Sequence, residues 1–235
     1  MNGFIERLTA AAAGAGIALG REEAEKFYLL YLMLSDSGKK MNLTAICDED
    51  GVIMRHFVDC LAVVPFVDGC GKKVVDIGCG GGFPTLPLAI VRPGLEITAV
   101  DSTAKKLTFV DEVSKKLSLN VKTVAARAEE LGRGNFREAF DVALSRAVAR
   151  MNILCELCLP LVRVGGSFIA MKGADGHAET AEAENAIRTL GGELVCEKSF
   201  ELPGAGSRVI AVVRKKNGTP PYYPRQYAKI KSKPL

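Results

Sequence analysis

No stretch of this chain reaches the roughly 18–20 apolar residues that a membrane-spanning helix needs, so a role built on such a helix is excluded. Histidine is scarce, with only His56 and His177. The single Cys-x-x-Cys, Cys155 to Cys158, has no second pair to complete a zinc site, so no metal is expected. The seven cysteines are an odd number scattered through apolar stretches, which reads as buried free thiols in a reducing cytoplasm rather than a disulfide framework. The glycine cluster lacks the Gly-Lys-Ser/Thr ending of a P-loop, because Gly82 is followed by Phe83-Pro84; phosphates are not gripped there. Acidic residues stop at Glu201. Beyond it eight lysines and arginines carry +8 of a net +4, which leaves −4 on residues 1–201.

What remains is a chain of 235 residues, 48% apolar, with ample material for a core. Helical patterns span about 2–18 and 21–36, the second with Phe27, Leu30, Tyr31 and Leu34 on one face. The start holds Glu6 and Arg7 beside Ala10–Ala13, so it reads as an amphipathic helix rather than a secretory signal, and a cytoplasmic location is expected. Asp48 can cap a third helix that carries Val52, His56, Cys60 and Val63 on one face, and Gly69 and Gly71 turn the chain into the first strand. Strands are then expected at 73–77, 95–100, 121–126, 140–145, 166–171, 194–200 and 208–214. Helices are expected at 84–91, 103–118, 150–163 and 177–191. Alternation of this kind predicts an α/β fold with a mostly parallel, Rossmann-like sheet, and the succession across Pro203-Gly204-Ala205-Gly206 adds one antiparallel hairpin strand. This is the class I methyltransferase architecture. The organisation expected is an N-terminal helical segment (1–67), a core (68–216) and a basic tail (217–235).

The most informative run is Val74-Val75-Asp76-Ile77-Gly78-Cys79-Gly80-Gly81-Gly82. It is a short buried strand followed by a loop that is almost all backbone, where a ligand can touch the main chain. A dinucleotide fingerprint needs a glycine at the sixth position from Gly78, and that position is Phe83. An acid two residues before the first glycine would repel a pyrophosphate. Asp76 suits instead a ligand with an ammonium and a sulfonium, S-adenosylmethionine. Asp101 ends the second strand, 23 positions after Gly78, where a carboxylate can accept from both ribose hydroxyls, although it could also cap the following helix. Ser102 and Thr103 can line the adenosine pocket, and Ala128-Glu129, just past the third strand, is where an adenine edge meets backbone. Arg146 ends the fourth strand over the cleft, beside a ligand carboxylate or a target base. Ser145-Arg146 occupies the place where a cytosine-C5 enzyme carries its cysteine. Thr219-Pro220-Pro221-Tyr222 imitates an amino-methylating motif but lies beyond the last strand. His56 reads first as a packed core residue. Lys172 reads as a rim residue able to meet phosphate, or as a solvated strand end.

Arg225, Lys229, Lys231 and Lys233, interleaved with Tyr222, Tyr223 and Tyr227, suit an RNA surface; a solubilising extension fits the composition equally.

Taken together, these motifs resemble the ribosomal small-subunit methyltransferase G family, also called glucose-inhibited division protein B. The match runs through Asn42–Ile46, Arg55–Asp59, Asp76–Pro84, Val100–Ser102, Phe140-Asp141, Ser145–Ala147, Met171–Gly173, Tyr223–Arg225 and Lys233–Leu235. The chain departs from the family pattern at Cys79 and Thr85, where small or glycine residues are usual, and at Gln226-Tyr227 in the tail. The resemblance implies methyl transfer to N7 of one guanine in the decoding-region loop of 16S ribosomal RNA. It also implies cofactor contacts at Gly78, Phe83, Ala128, Glu129 and Arg146. The expected partner is that RNA or the small subunit, met by a monomer. Guanine N7 has a free lone pair and loses no proton, so positioning suffices, with Arg146 the candidate for it. Two other readings stay open: a methyltransferase acting on a different RNA, a protein or a small molecule, and a nicotinamide-dependent oxidoreductase using the same loop.

Overall fold

Among the residues described, seven strands pair into one sheet in the order β3-β2-β1-β4-β5-β7-β6. They are β1 (Lys73–Ile77), β2 (Glu96–Asp101), β3 (Val121–Ala125), β4 (Phe140–Arg146), β5 (Val162–Lys172), β6 (Gly192–Leu202) and β7 (Gly206–Lys215). The computed structural model describes every residue except 42, 45, 47 and 68–70, and only the backbone of 38–41. The Asn42–Ile46 motif therefore lies partly, and Cys47, Gly69, Cys70 and the boundary expected at Asp68 wholly, outside the described residues. The central strands are parallel and covered on both faces, which is why β1 and β4 carry apolar runs at their centres, Val74-Val75 and Val142–Leu144, instead of alternating. β7 is antiparallel to both β5 and β6, as the Pro203–Gly206 turn predicts.

The N-terminal helices form an outer layer: the second packs on the helices Thr85–Val91 and Ala104–Lys116, and the first packs on the second and on residues 53–58. Asn2–Gly14 buries Phe4, Leu8 and Ala12 at intervals of four. Arg21–Met41 buries Phe27, whose ring centroid lies 4.9 Å from that of Phe57. Asp48 caps the next helix by accepting from Gly51 N at 2.6 Å, and the middle of that helix, Ile53–Val58, is wound as a π-helix that carries His56. Wider winding of this kind re-aims side chains and recurs at functional sites.

Several boundaries differ from the sequence reading: the first helix ends at Gly14 rather than 18, and the second runs on to Met41 rather than 36. The helix after β4, Met151–Cys158, stops early because Pro160 cannot continue it, and β5 begins at Val162 rather than 166. The helix expected at 177–191 is two pieces, Gly176–Glu182 and Glu184–Thr189, broken at Ala183 (φ −88°, ψ 1°); the second piece buries Ala186 and Ile187.

Residues 217–235 are not a free extension. Lys215 is fully buried, donates to the Leu159 carbonyl at 2.7 Å and bonds the Thr219 hydroxyl; burial pushes its ammonium down to about 8. Arg137 donates to the Tyr223 carbonyl and Arg133 to that of Pro224, both at 2.7 Å. The segment ends in a short helix, Tyr227–Ser232, whose Ile230 is fully buried.

Candidate active site

Strand order reverses at β1, which pairs with β2 on one side and β4 on the other, so the loops leaving β1 and β4 diverge and open a crevice at their carboxyl ends. Gly78 N and Cys79 N both donate to the Val100 carbonyl, at 2.9 and 3.0 Å, folding the glycine loop back over β2. Gly78 has φ +73°, and a Cβ there would lie 2.4 Å from Val148 Cγ2, so the approach of these two loops requires glycine. Asp101 staples the loop from the far side. Its Oδ2 accepts from Gly80 N at 3.0 Å and its Oδ1 from Thr103 N at 2.8 Å. Each carboxylate oxygen still has a lone pair to offer.

Asp76 is 1% exposed. Thr85 holds its Oδ2 through both the hydroxyl (2.6 Å) and the backbone N–H (3.2 Å). Oδ1 is buried and has no hydrogen-bond partner among the described residues. Burial pushes the carboxyl up to about 6, against the Thr85 hydrogen bonds and the Arg146 charge, with Asp101 adding to the rise. A buried carboxylate oxygen left open costs free energy unless a donor reaches it. A ligand ammonium is such a donor.

Arg146 projects from the end of β4. Its Nη1 donates to Asp59 Oδ2 at 2.9 Å and to the Arg55 carbonyl at 3.1 Å, while Arg208 Nε holds the other Asp59 oxygen at 3.1 Å. Its Cζ lies 5.6 Å from the centroid of the Phe83 ring, against which His56 stacks at 4.6 Å and 18°. His56 is kept neutral, pushed down to about 4 by burial and then by the Arg146 charge. Arg146 Nη2, which can only donate, stands 3.4 Å from His56 Nδ1, so Nδ1 is the acceptor and Nε2–H donates to Thr44 Oγ1 at 2.7 Å. The described cysteines offer no nucleophile here. Burial pushes the thiols of Cys60, Cys79, Cys155 and Cys158 well up, that of Cys60 to about 12.

Around these groups lies a cleft of about 380 Å³. Gly78, Gly80 and Phe83 line it from the β1 side, Asp101 and Ser102 from β2, Ala128 and Glu129 from beyond β3, and Arg146 from β4. Asp76 sits behind the loop and Thr103 acts through its backbone N–H on Asp101. Two expected RNA contacts have other partners. Lys172 is 9% exposed, paired with Glu179 at 2.6 Å and bonded to the Ala149 carbonyl, because the helix after β5 brings an acid over the strand end. Arg225 is held by the carboxylate of Glu156, a fully buried residue, with Nη2 at 2.6 Å and Nε at 2.9 Å. Lys229, Lys231 and Lys233 are exposed.

Over residues 23–204 the chain matches the family model described as rRNA small subunit methyltransferase G. The relative of that name from Leuconostoc citreum is 42% identical over 236 residues, covering 98% of this chain and 99% of its own. The chain belongs to the rRNA small subunit methyltransferase G family. A second relative of the same name, from Oceanobacillus iheyensis, is 43% identical over 98% of both chains. Among solved structures, a 16S rRNA adenine-N1 methyltransferase from Catenulisporales acidiphilia superposes with a TM-score of 0.54 at 12% identity, over 63% of this chain and 87% of its own. The [4+2]-cyclase SpnF gives 0.58 at 15% identity, over 81% and 95%. The fold is thus that of class I methyltransferases, but it is shared with other chemistry and does not name the reaction.

Several groups around the cleft of this methyltransferase G family member escape sequence reasoning. Asp59, 87 residues upstream, pairs with Arg146, and Arg208, 62 residues downstream of Arg146, holds the other oxygen of Asp59; the Arg55–Asp59 motif by itself names neither partner. Tyr227 lines the cleft although it belongs to the C-terminal segment. Among the described residues no group of three His, Cys, Asp or Glu side chains could hold a metal ion, and no helix is long and apolar enough to cross a membrane.

Proposed function

We infer that this chain binds S-adenosylmethionine in the cleft and transfers its methyl group to N7 of a guanine in the decoding-region loop of 16S ribosomal RNA, acting as a cytoplasmic monomer. The observation that carries the cofactor assignment is the open, buried Oδ1 of Asp76 behind the glycine loop. A pyrophosphate would be repelled there, whereas an amino-acid ammonium is held. When bound, the cofactor supplies an electrophilic methyl group on a sulfonium centre.

The chain's own residues bind and orient. Asp76 receives the ammonium, the free lone pairs of Asp101 receive the ribose hydroxyls, and the backbone at Ala128-Glu129 meets the adenine edge. A second cavity, of about 470 Å³, shares His56, Arg146 and Ala147 with the cleft and is lined further by Arg55, Asp59, Lys172, Glu179 and Arg208. Its excess of cations over the acids Asp59 and Glu179 suits an RNA nucleotide entering toward the methyl group. Guanine presents N7 and O6 as neighbouring acceptors, so Arg146 can hold O6 while N7 stays free to attack in line. No proton leaves N7, and a neutral His56 that is already hydrogen-bonded is no obstacle.

Two titrations test this reading. Asp101→Ala is expected to weaken S-adenosylhomocysteine binding by about 1.5–3 kcal/mol, the range for hydrogen bonds to a charged group. NADH binding without any S-adenosylhomocysteine binding would instead favour the oxidoreductase. The second concerns pH. The ligand ammonium needs Asp76 ionised, and its carboxyl titrates at about 6. Affinity is therefore expected to hold from pH 8 to 7 and to fall by up to about tenfold per unit below pH 6, as protonation competes with binding. Asp76→Asn removes that dependence along with much of the affinity. A flat profile in the wild type would contradict the assignment.

A further inference from the structure

The C-terminal segment reaches the cofactor cleft. Tyr227, half-buried, lines it beside Arg127, Ala128 and Glu129, the end assigned above to the adenine. The Arg127 guanidinium lies over the Tyr227 ring, 5.7 Å from its centroid. The segment that bears it is held by the Arg225–Glu156 ion pair on one side of Tyr227 and by the buried Ile230 on the other. The next turns of the same short helix present Lys229 and Lys231, with Lys233 just beyond, all exposed.

We propose that this segment is a wall shared by two ligands: Tyr227 contacts the adenosine end of the cofactor, Lys229, Lys231 and Lys233 contact RNA phosphates, and each ligand therefore tightens the binding of the other. The inference rests on the cofactor reading above. An aromatic ring beside a base edge gains stacking area, and Tyr227 and the lysines share one short docked segment, so a ligand that engages one group fixes the position of the others. Coupling between two binding sites is reciprocal by thermodynamic necessity.

The test is calorimetric titration of S-adenosylhomocysteine into the full chain, with and without a saturating RNA hairpin that carries the decoding-region loop. Tyr227→Ala is expected to weaken binding about tenfold while Tyr227→Phe, which keeps the ring, stays within about threefold. Added RNA is expected to tighten wild-type binding several-fold and to leave a Lys229→Ala/Lys231→Ala/Lys233→Ala variant unchanged. Thermal unfolding of the free variants separates contact from packing. A Tyr227→Ala chain that loses stability but keeps wild-type affinity overturns the cofactor contact. Wild-type affinity that ignores RNA overturns the coupling. A wild type that binds no S-adenosylhomocysteine at all overturns the cofactor reading itself, a result distinct from either.

Discussion

Replacing Arg146 with alanine is expected to slow methyl transfer by about 10²–10³, the usual loss when one preorganised polar group is removed from a reacting centre. The guanidinium touches Asp59, the Arg55 carbonyl, His56 and the Phe83 ring at once. Its place is fixed before any substrate arrives, so little reorganisation is left for the reaction itself. Arg146→Lys is expected to recover little, because a single ammonium cannot span those partners with the planar fork of arginine. The affinity for S-adenosylhomocysteine should fall much less, by under about tenfold, since Asp76 and Asp101 remain. Removing Arg146 also lifts a charge that holds His56 down, so the histidine should titrate closer to its ordinary range, which NMR can follow. Single-turnover rates on small subunits read the main effect. A rate within threefold of wild type would remove Arg146 from the acceptor side.

The second large effect is on stability. Glu156 is fully buried in the helix Met151–Cys158 and receives Arg225 through its backbone N–H, Nε and Nη2. Arg225→Ala leaves that carboxylate charged in an apolar setting, and breaking such a pair from one side costs about 3–5 kcal/mol. For a chain of this size that corresponds to a fall in Tm of roughly 10 °C. Glu156→Gln keeps a hydrogen-bond acceptor without the charge and is expected to cost less, about 1–3 kcal/mol. Chemical and thermal unfolding measure both. A loss under about 1 kcal/mol for Arg225→Ala would mean that water reaches the pair and that the C-terminal segment is more loosely held than its contacts indicate.

These two sites mark what a sequence can and cannot reveal here. The strands were legible because parallel strands covered on both faces are apolar at their centres instead of alternating, as Val74-Val75 and Val142–Leu144 are. The glycine loop was legible because glycine at Gly78 answers to a local need, a positive φ and a neighbour 2.4 Å from any Cβ. The break at Ala183 was not, because nothing in local propensity distinguishes one amphipathic helix from two. Nor were the ion pairs. Arg225 and Lys172 look like surface cations until Glu156 and Glu179 are brought onto them, and that depends on helices placed by the whole fold. The tail reads as solvent-exposed from its charge, yet Lys215, Arg133 and Arg137 bind it to the core through carbonyls and a hydroxyl that leave no mark in composition.

The most direct test of the account is to incubate the chain with small subunits lacking the modification, together with tritiated S-adenosylmethionine, and to map the label on the RNA. The account predicts label at one guanine of the decoding-region loop, released on acid hydrolysis as 7-methylguanine. Label on another base, on another atom of guanine or on protein would contradict it, as would the absence of label from a chain that binds the cofactor.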